Sequence, residues 1–343
     1  MSLKKIDETG LQKWVEGLIQ DTKVIAPQSR SDRFDFAELE DAQHLRLDYD
    51  VSLTPPNKVC FQPPEEVIAR FKGIDYQSEF DDEPFVLLGV HPYDMVAINQ
   101  MDKVFTTDNY DEHYMSRRNA ATIVACDVQT VSENVFASGM STATCDEGFD
   151  VLLSRIEGGY IVDARTEKGE RLCEGLADAG EPTDEDLKAR QQLWEDNEER
   201  LSRHEVNFDP EQLPELLGRK EKENHPVWKE KAELCFSCGS CTNVCPTCYC
   251  FDVQEDVNWD MESGERKRRW DGCQLVSFAE VAGSHNFRPE PYQRYRHRYY
   301  RKGKYVPEMI GECACVGCGR CITACVAKIA NPPEIYNRLM EDE

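Results

Sequence analysis

The sequence predicts an α+β protein: an α/β domain over residues 1–182, a helical linker over 183–224, and a helical, cysteine-rich domain over 225–343. Three observations carry this. Apolar runs at 84–90 (PFVLLGV) and 121–128 (ATIVACDV) flank a helical stretch, HPYDMVAINQMDKVF, giving the strand–helix–strand order of an α/β layer with some parallel pairing. Residues 183–203 (TDEDLKARQQLWEDNEERLSR) are charged and helical with little apolar stripe, as in a solvated helix at a domain boundary. Finally, 12 of the 16 cysteines fall between Cys235 and Cys325.

The remaining elements follow in order. Residues 9–21 form an amphipathic helix capped by Thr9, with Leu11, Trp14, Val15, Leu18 and Ile19 at helical spacing. KVIAP (23–27) and the alternating LRLDYDVSL (45–53) read as short strands, and Pro55–Pro56 breaks the chain. PPEEVIARF (63–71) reads as a helix with proline at its start, where a missing N–H does no harm. VLLSRIEGGYIVDART (151–166) reads as a hairpin around Gly158–Gly159.

Composition narrows the function. A chain of 343 residues with 40% hydrophobic content is long enough for two domains. Its net charge of −25 repels phosphate backbones, so nucleic acid is excluded as a partner. No apolar run reaches the roughly 18–20 residues that span a bilayer. The opening MSLKKIDETG has no apolar signal core, so the expected location is cytoplasmic. A local cysteine cluster in such a chain points to metal rather than to disulfides.

The cysteines form two runs, Cys235-Phe-Ser-Cys238-Gly-Ser-Cys241-Thr-Asn-Val-Cys245-Pro246 and Cys315-Val-Gly-Cys318-Gly-Arg-Cys321-Ile-Thr-Ala-Cys325. Both are C-x2-C-x2-C-x3-C. Three cysteines at this spacing wrap one face of a [4Fe–4S] cubane, and the fourth ligates the other cluster. The spacing therefore assigns cluster one to Cys235, Cys238, Cys241 and Cys325, and cluster two to Cys315, Cys318, Cys321 and Cys245. Gly239, Gly317 and Gly319 let the backbone approach the clusters. Zinc is the alternative, but zinc sites use separated C-x2–4-C pairs. Val326 stands where proline often follows the last cysteine. The 69 residues between Cys245 and Cys315 resemble in length the link of the all-helical ferredoxin domain in the iron–sulfur subunit of succinate dehydrogenase and fumarate reductase. The expected C-terminal fold is thus an all-helical dicluster ferredoxin-like domain with a long insertion between its motifs.

HPVWKEKAELCFSCGSCTNVCPTCYCFDV, GERKRRWDGCQLVSFAEVAGSHNFRP and the second run closely resemble the iron–sulfur beta subunit of cytoplasmic sulfhydrogenases and the A subunit of anaerobic sulfite reductase. LGVHPYDMVAINQMDKVF and TPPNKVCFQPPEEVIARF extend the resemblance over nearly the whole chain. It implies an electron-transfer subunit, relaying electrons through two [4Fe–4S] clusters between an FAD- and NAD(P)-binding subunit and a nickel–iron hydrogenase-type catalytic module. The same relay in a sulfite reductase or a heterodisulfide-reductase-linked complex is the alternative. A reductase with its own substrate site in the N-terminal domain is an alternative of another class. A scaffold with purely structural metals is a third.

One departure from the family pattern concerns a third, N-terminal cluster. Tyr93 and Val135-Phe136-Ala137 stand where many members carry cysteines, leaving Cys126 and Asp94. Cys60, Cys126, Cys145 and Cys173 read as small buried hydrophobes. Cys248, Cys250 and Cys273 match family positions and are candidates for a further metal, with His285 or Cys313 as a fourth ligand; packing around the clusters is the alternative. RPEPYQRYRHRYYRKGK (288–304) supplies cations that would raise the potential of a nearby anionic cluster, or a solvated face with its tyrosines on the core. His225 and His285 lie in the family-like segments. No G-x-G-x-x-G or Walker loop is present, and no carboxylate pair stands out as catalytic.

Overall fold

The apolar run at 84–90 supplies a strand, Phe85–Val90, that is buried at every residue, which places it in the interior of a sheet covered on both faces. The computed structural model describes residues 2–176 and 179–341. Its strands are β1 (Ser2–Ile6), β2 (Lys23–Arg30), β3 (Arg33–Glu38), β4 (Glu65–Lys72), β5 (Asp75–Ser78), β6 (Phe85–Val90), β7 (Ala121–Cys126), β8 (Val151–Ile156), β9 (Gly159–Ala164), β10 (Phe251–Val257) and β11 (Ser263–Trp270), plus a small ribbon of Glu280–Val281 with His285–Asn286. A seven-stranded sheet runs β1-β9-β8-β7-β6-β2-β3, with β2, β6, β7 and β8 parallel and both edges antiparallel. Helix Glu8–Asp21 covers one face through Leu11, Trp14, Val15 and Leu18. Helix Pro92–Thr106 covers the other through Met95, Ile98 and Met101.

Gly89 turns this sheet towards the cysteines. Its φ of +86° sits at a register shift between Leu88 and Val90, and a Cβ there would stand 2.9 Å from Leu47 and 3.0 Å from Pro27. The bulge delivers His91-Pro92 to the start of the next helix, where proline is preorganised. That helix is buried on several sides. Tyr93 and Ala97 join a small core with Val135, Ala137, Val316 and Cys318. A further core holds Trp228, Tyr295, Tyr299, Tyr336, Cys315 and Cys321.

The expected all-helical C-terminal fold is overturned, and with it the α+β class drawn from the sequence. The chain is mixed α/β, built on a large sheet. The link between the cysteine runs forms the hairpin β10–β11, which joins β4 and β5 in a second sheet ordered β10-β11-β4-β5. Opposite charges face each other across it: Glu255 pairs Arg266, Lys267 reaches Asp256 at 2.8 Å, and Arg269 reaches Glu65 at 2.7 Å. Asp260 closes the turn by accepting from the N–H groups of Glu262 and Ser263.

PPEEVIARF is likewise a strand, β4, rather than a helix, because its Val67-Ile68 and Phe71 fit a pleated ladder better than a helix turn. LRLDYDVSL is not a strand: Arg46 and Asp48 close a turn on each other at 2.8 Å, and the Tyr49 hydroxyl donates to Gly89 O at 2.8 Å. The first helix is capped by Asp7 rather than Thr9, its carboxylate accepting from Gly10 N at 2.7 Å. The charged stretch forms helix Asp184–Arg200, opened by a Thr183/Asp186 capping box. Trp194 donates to Asp127 at 3.0 Å and Arg190 to Asp163 at 3.2 Å. No helix among the described residues is long and apolar enough to cross a membrane.

The second sheet is anchored by a buried charge network. Arg268 on β11 bonds Glu66 on β4 at 2.5 Å and also Asp111, while Arg117 approaches the other Glu66 oxygen at 2.5 Å as an ion pair without hydrogen-bond alignment. Removing Arg268 leaves Asp111 without this cation and Glu66 with Arg117 alone. Arg268→Ala is therefore expected to cost about 1.5–3 kcal/mol of unfolding free energy, the range for a hydrogen bond to a charged group, read by denaturant titration, with faster amide exchange across β10 and β11.

Candidate metal centres

The two cysteine runs fold into similar loops. In each, a glycine in the left-handed region precedes a short helix: Gly239 (φ +76°) before Ser240–Asn243, and Gly319 (φ +77°) before Arg320–Ala324. The two short helices pack together. This contact brings the last cysteine of each run to the first three of the other. One cavity is walled by Cys235, Cys238, Cys241 and Cys325 together with Gln274 and Tyr295. The other is walled by Cys315, Cys318, Cys321 and Cys245 together with Arg298 and Lys302. All of these cysteines are free.

The cavities differ in exposure. Cys238 is exposed, and Phe236 and Val326 at the rim of the first cavity are 74% and 77% accessible. Every cysteine of the second is buried. Burial pushes the Cys241 and Cys318 thiols up to about 12. Cys245 is held well below the ordinary thiol value by the neighbouring Cys248 thiol and by the Lys302 and Arg298 charges. Cys238 is lowered by the Ser240 hydroxyl. Rings of four thiols around a hollow, with cations behind one of them, have the chemistry of an anionic thiolate-ligated group. Among the described residues no three His, Cys, Asp or Glu side chains converge to hold a single metal ion.

Cys248 and Cys250 line a third hollow with Lys58, Phe105 and Trp270, and Cys273 is buried near Cys250 but outside that lining. Cys60, Cys126 and Cys173 are buried and Cys145 is half-buried. His225 accepts from Val227 N at 3.2 Å, and exposed His285 meets Phe287 edge-on. In the basic–aromatic stretch, helix Pro291–Tyr300 buries Tyr295, Tyr299 and Tyr300 against Trp228 and also buries Arg294 and Arg298.

Two features escape a reading by motif. The first is a lid. Residues 134–137 lie directly on the second loop: Phe136 N donates to Gly317 O at 2.7 Å, and a Cβ at Gly317 or Gly319 would stand 2.6 Å from Phe136 O or 2.3 Å from Asn134 O. These glycines admit a neighbouring segment as well as the loop's own curvature. The second is Arg320, between two cysteines of the second run. It forms a bidentate pair with Asp94 at 2.6 and 2.7 Å and donates to Ser52 O and Oγ at 2.9 and 2.8 Å, with both charged side chains buried. Burial pushes the Asp94 carboxyl up, and the Arg320 charge with its two hydrogen bonds pulls it back. Opposite charges inside two otherwise apolar segments were the available signal.

Comparison with known proteins agrees with this geometry. Residues 234–329 match the 4Fe–4S dicluster domain family. The chain is 34% identical over 308 residues to sulfhydrogenase 2 subunit beta of Pyrococcus furiosus, covering 90% of this chain and 89% of the relative. No solved structure matches. The chain thus carries iron–sulfur clusters of the 4Fe–4S kind.

The Arg320–Asp94 pair gives a test of how the second loop is held. Asp94→Ala is expected to lose about 3–5 kcal/mol of stability by leaving Arg320 buried and unpaired. The double change Asp94→Ala with Arg320→Met should recover a large part of it. Denaturant unfolding of the four proteins of this cycle measures both.

Proposed function

The chain belongs to the sulfhydrogenase beta-subunit family, and we propose that it relays electrons between an FAD- and NAD(P)-binding subunit and a nickel–iron hydrogenase-type catalytic module. The observation that carries this is the pair of adjoining four-cysteine cavities, each completed by the last cysteine of the other run. On this reading Cys235, Cys238, Cys241 and Cys325 hold one [4Fe–4S] cluster, and Cys315, Cys318, Cys321 and Cys245 hold a second. A bound cubane accepts and releases single electrons.

The protein's own residues do the rest. Crossed ligation ties the two loops together and keeps the two sites adjacent. Asp94 and Arg320 fix the second loop to the sheet, and Phe136 with its neighbours shields the second site from water. The open rim at Cys238 and Phe236 gives a partner close access to the first site. In this reading residues 225–343 supply the ligands, 1–182 supply the docking body and 183–224 join them, with β4 and β5 reaching across to support the ligand-bearing part. Cys248, Cys250 and Cys273 remain thiols that pack beside the clusters.

Iron analysis and paramagnetic resonance test the assignment. The loaded chain is expected to hold about eight iron atoms, the content of two cubanes; about twelve would give Cys248, Cys250 and Cys273 a ligand role. Cys245→Ala should remove the cluster of Cys315, Cys318 and Cys321 and leave the other, and the reverse outcome would refute crossed ligation. NAD(P)H should reduce the clusters only when a flavin subunit is present. Reduction by the chain alone would place a nucleotide site within it.

A further inference from the structure

Between the two cavities stand buried cations that no carboxylate among the described residues neutralises. Arg298 lies on helix Pro291–Tyr300, and Lys302 follows one turn later in its π-helical extension, Arg301–Tyr305. Arg298 is 1% exposed and Lys302 3%. Arg298 Nη2 donates to Cys241 O, in the first loop, at 3.3 Å, while its Nε and Nη1 meet no oxygen acceptor and the guanidinium faces the Cys321 thiol of the second loop. The same side chain lines the second cavity. Lys302 donates to Thr247 Oγ1 at 2.7 Å and to Ala314 O at 3.1 Å, and Thr247 Oγ1 stands 3.4 Å from Cys245 Sγ. A third cation, Lys58, donates to Thr242 O at 3.1 Å beside the first loop.

A buried charge with no counterion carries a heavy desolvation cost and persists only where an opposite charge meets it. Here the opposite charge is that of the thiolate rings. A four-thiolate cubane is anionic and gains one more negative charge on reduction, so a fixed cation nearby favours the reduced form.

Resting on the ligand assignment above, we infer that Arg298 and Lys302 set the reduction potentials: Arg298 those of both clusters, because it faces both loops, and Lys302 chiefly that of the cluster held by Cys245. In the one-electron step the external reductant loses the electron and the cluster gains it. Arg298 and Lys302 exchange neither electron nor proton.

The test is a dithionite redox titration of the full, cluster-loaded chain, followed by paramagnetic resonance, with Cys245→Ala used to assign the signals. Arg298→Met is expected to shift both reduction equilibria against reduction by at least tenfold, about 59 mV for one electron. Lys302→Met should shift mainly the cluster held by Cys245. Lys304→Met is the control, since Lys304 pairs with Glu308 at 2.7 Å away from the cavities, and should move neither. Arg298→Gln and Lys302→Gln repeat the test with side chains that still donate hydrogen bonds, should a methionine variant lose iron. Arg298→Lys and Lys302→Arg, which keep the charge, should stay near the wild-type potentials. Full iron with unmoved potentials in the neutral variants overturns this inference alone. A wild-type chain without cubane signals overturns the ligand assignment as well.

Discussion

The constraint on which the rest depends is the buried pair between Arg320 and Asp94. A loop made of thiols, glycines and short side chains has few large apolar groups with which to fix its own conformation, even though Val316 and its cysteines are buried. Something must hold it from behind. Arg320 is rooted between two of the loop's cysteines and reaches the first turn of helix Pro92–Thr106, which the Gly89 bulge sets at the end of β6. A bidentate pair fixes angle as well as distance, so the sheet's rigidity passes to the loop. Through the contact between the two short helices it passes on to the first loop.

The two cysteine runs were legible in the sequence because cubane coordination tolerates little variation in spacing, and the match to the 4Fe–4S dicluster domain spans both of them. The parallel strands were legible because burial on both faces forces a continuous apolar run, as in PFVLLGV. The hairpin β10–β11 was not. Its residues are mostly charged, and FDVQEDV and SGERKRRW signal a surface rather than a core. The partner of β11, β4, lies about 200 residues upstream in the chain, and nothing local announces so distant a pairing. PPEEVIARF misled for the same reason. Its proline suits the start of a helix or a strand equally, and β11 decides between them.

The lid over the second loop belongs with these. Val135-Phe136-Ala137 seats on Gly317 through a backbone hydrogen bond and buried apolar side chains. Tyr93 is buried in the same small core, with its hydroxyl 2.7 Å from His91 Nδ1 and 3.1 Å from Asp50 O. His91 in turn stacks on Tyr49 at 3.9 Å. Aromatic packing and neutral hydrogen bonds occupy the space, and the region works as the wall of the second site.

That wall has a consequence for how the protein is made. The first cavity opens at Cys238, but the second lies behind residues 134–137 and the Arg320 anchor. On the proposed ligand assignment, a group held there is seated before the wall closes, or the wall lifts for it. Completing the inner site therefore draws on both halves of the chain, since residues 134–137 and Asp94 come from one and the cysteines from the other. The outer site, open at its rim, makes no such demand.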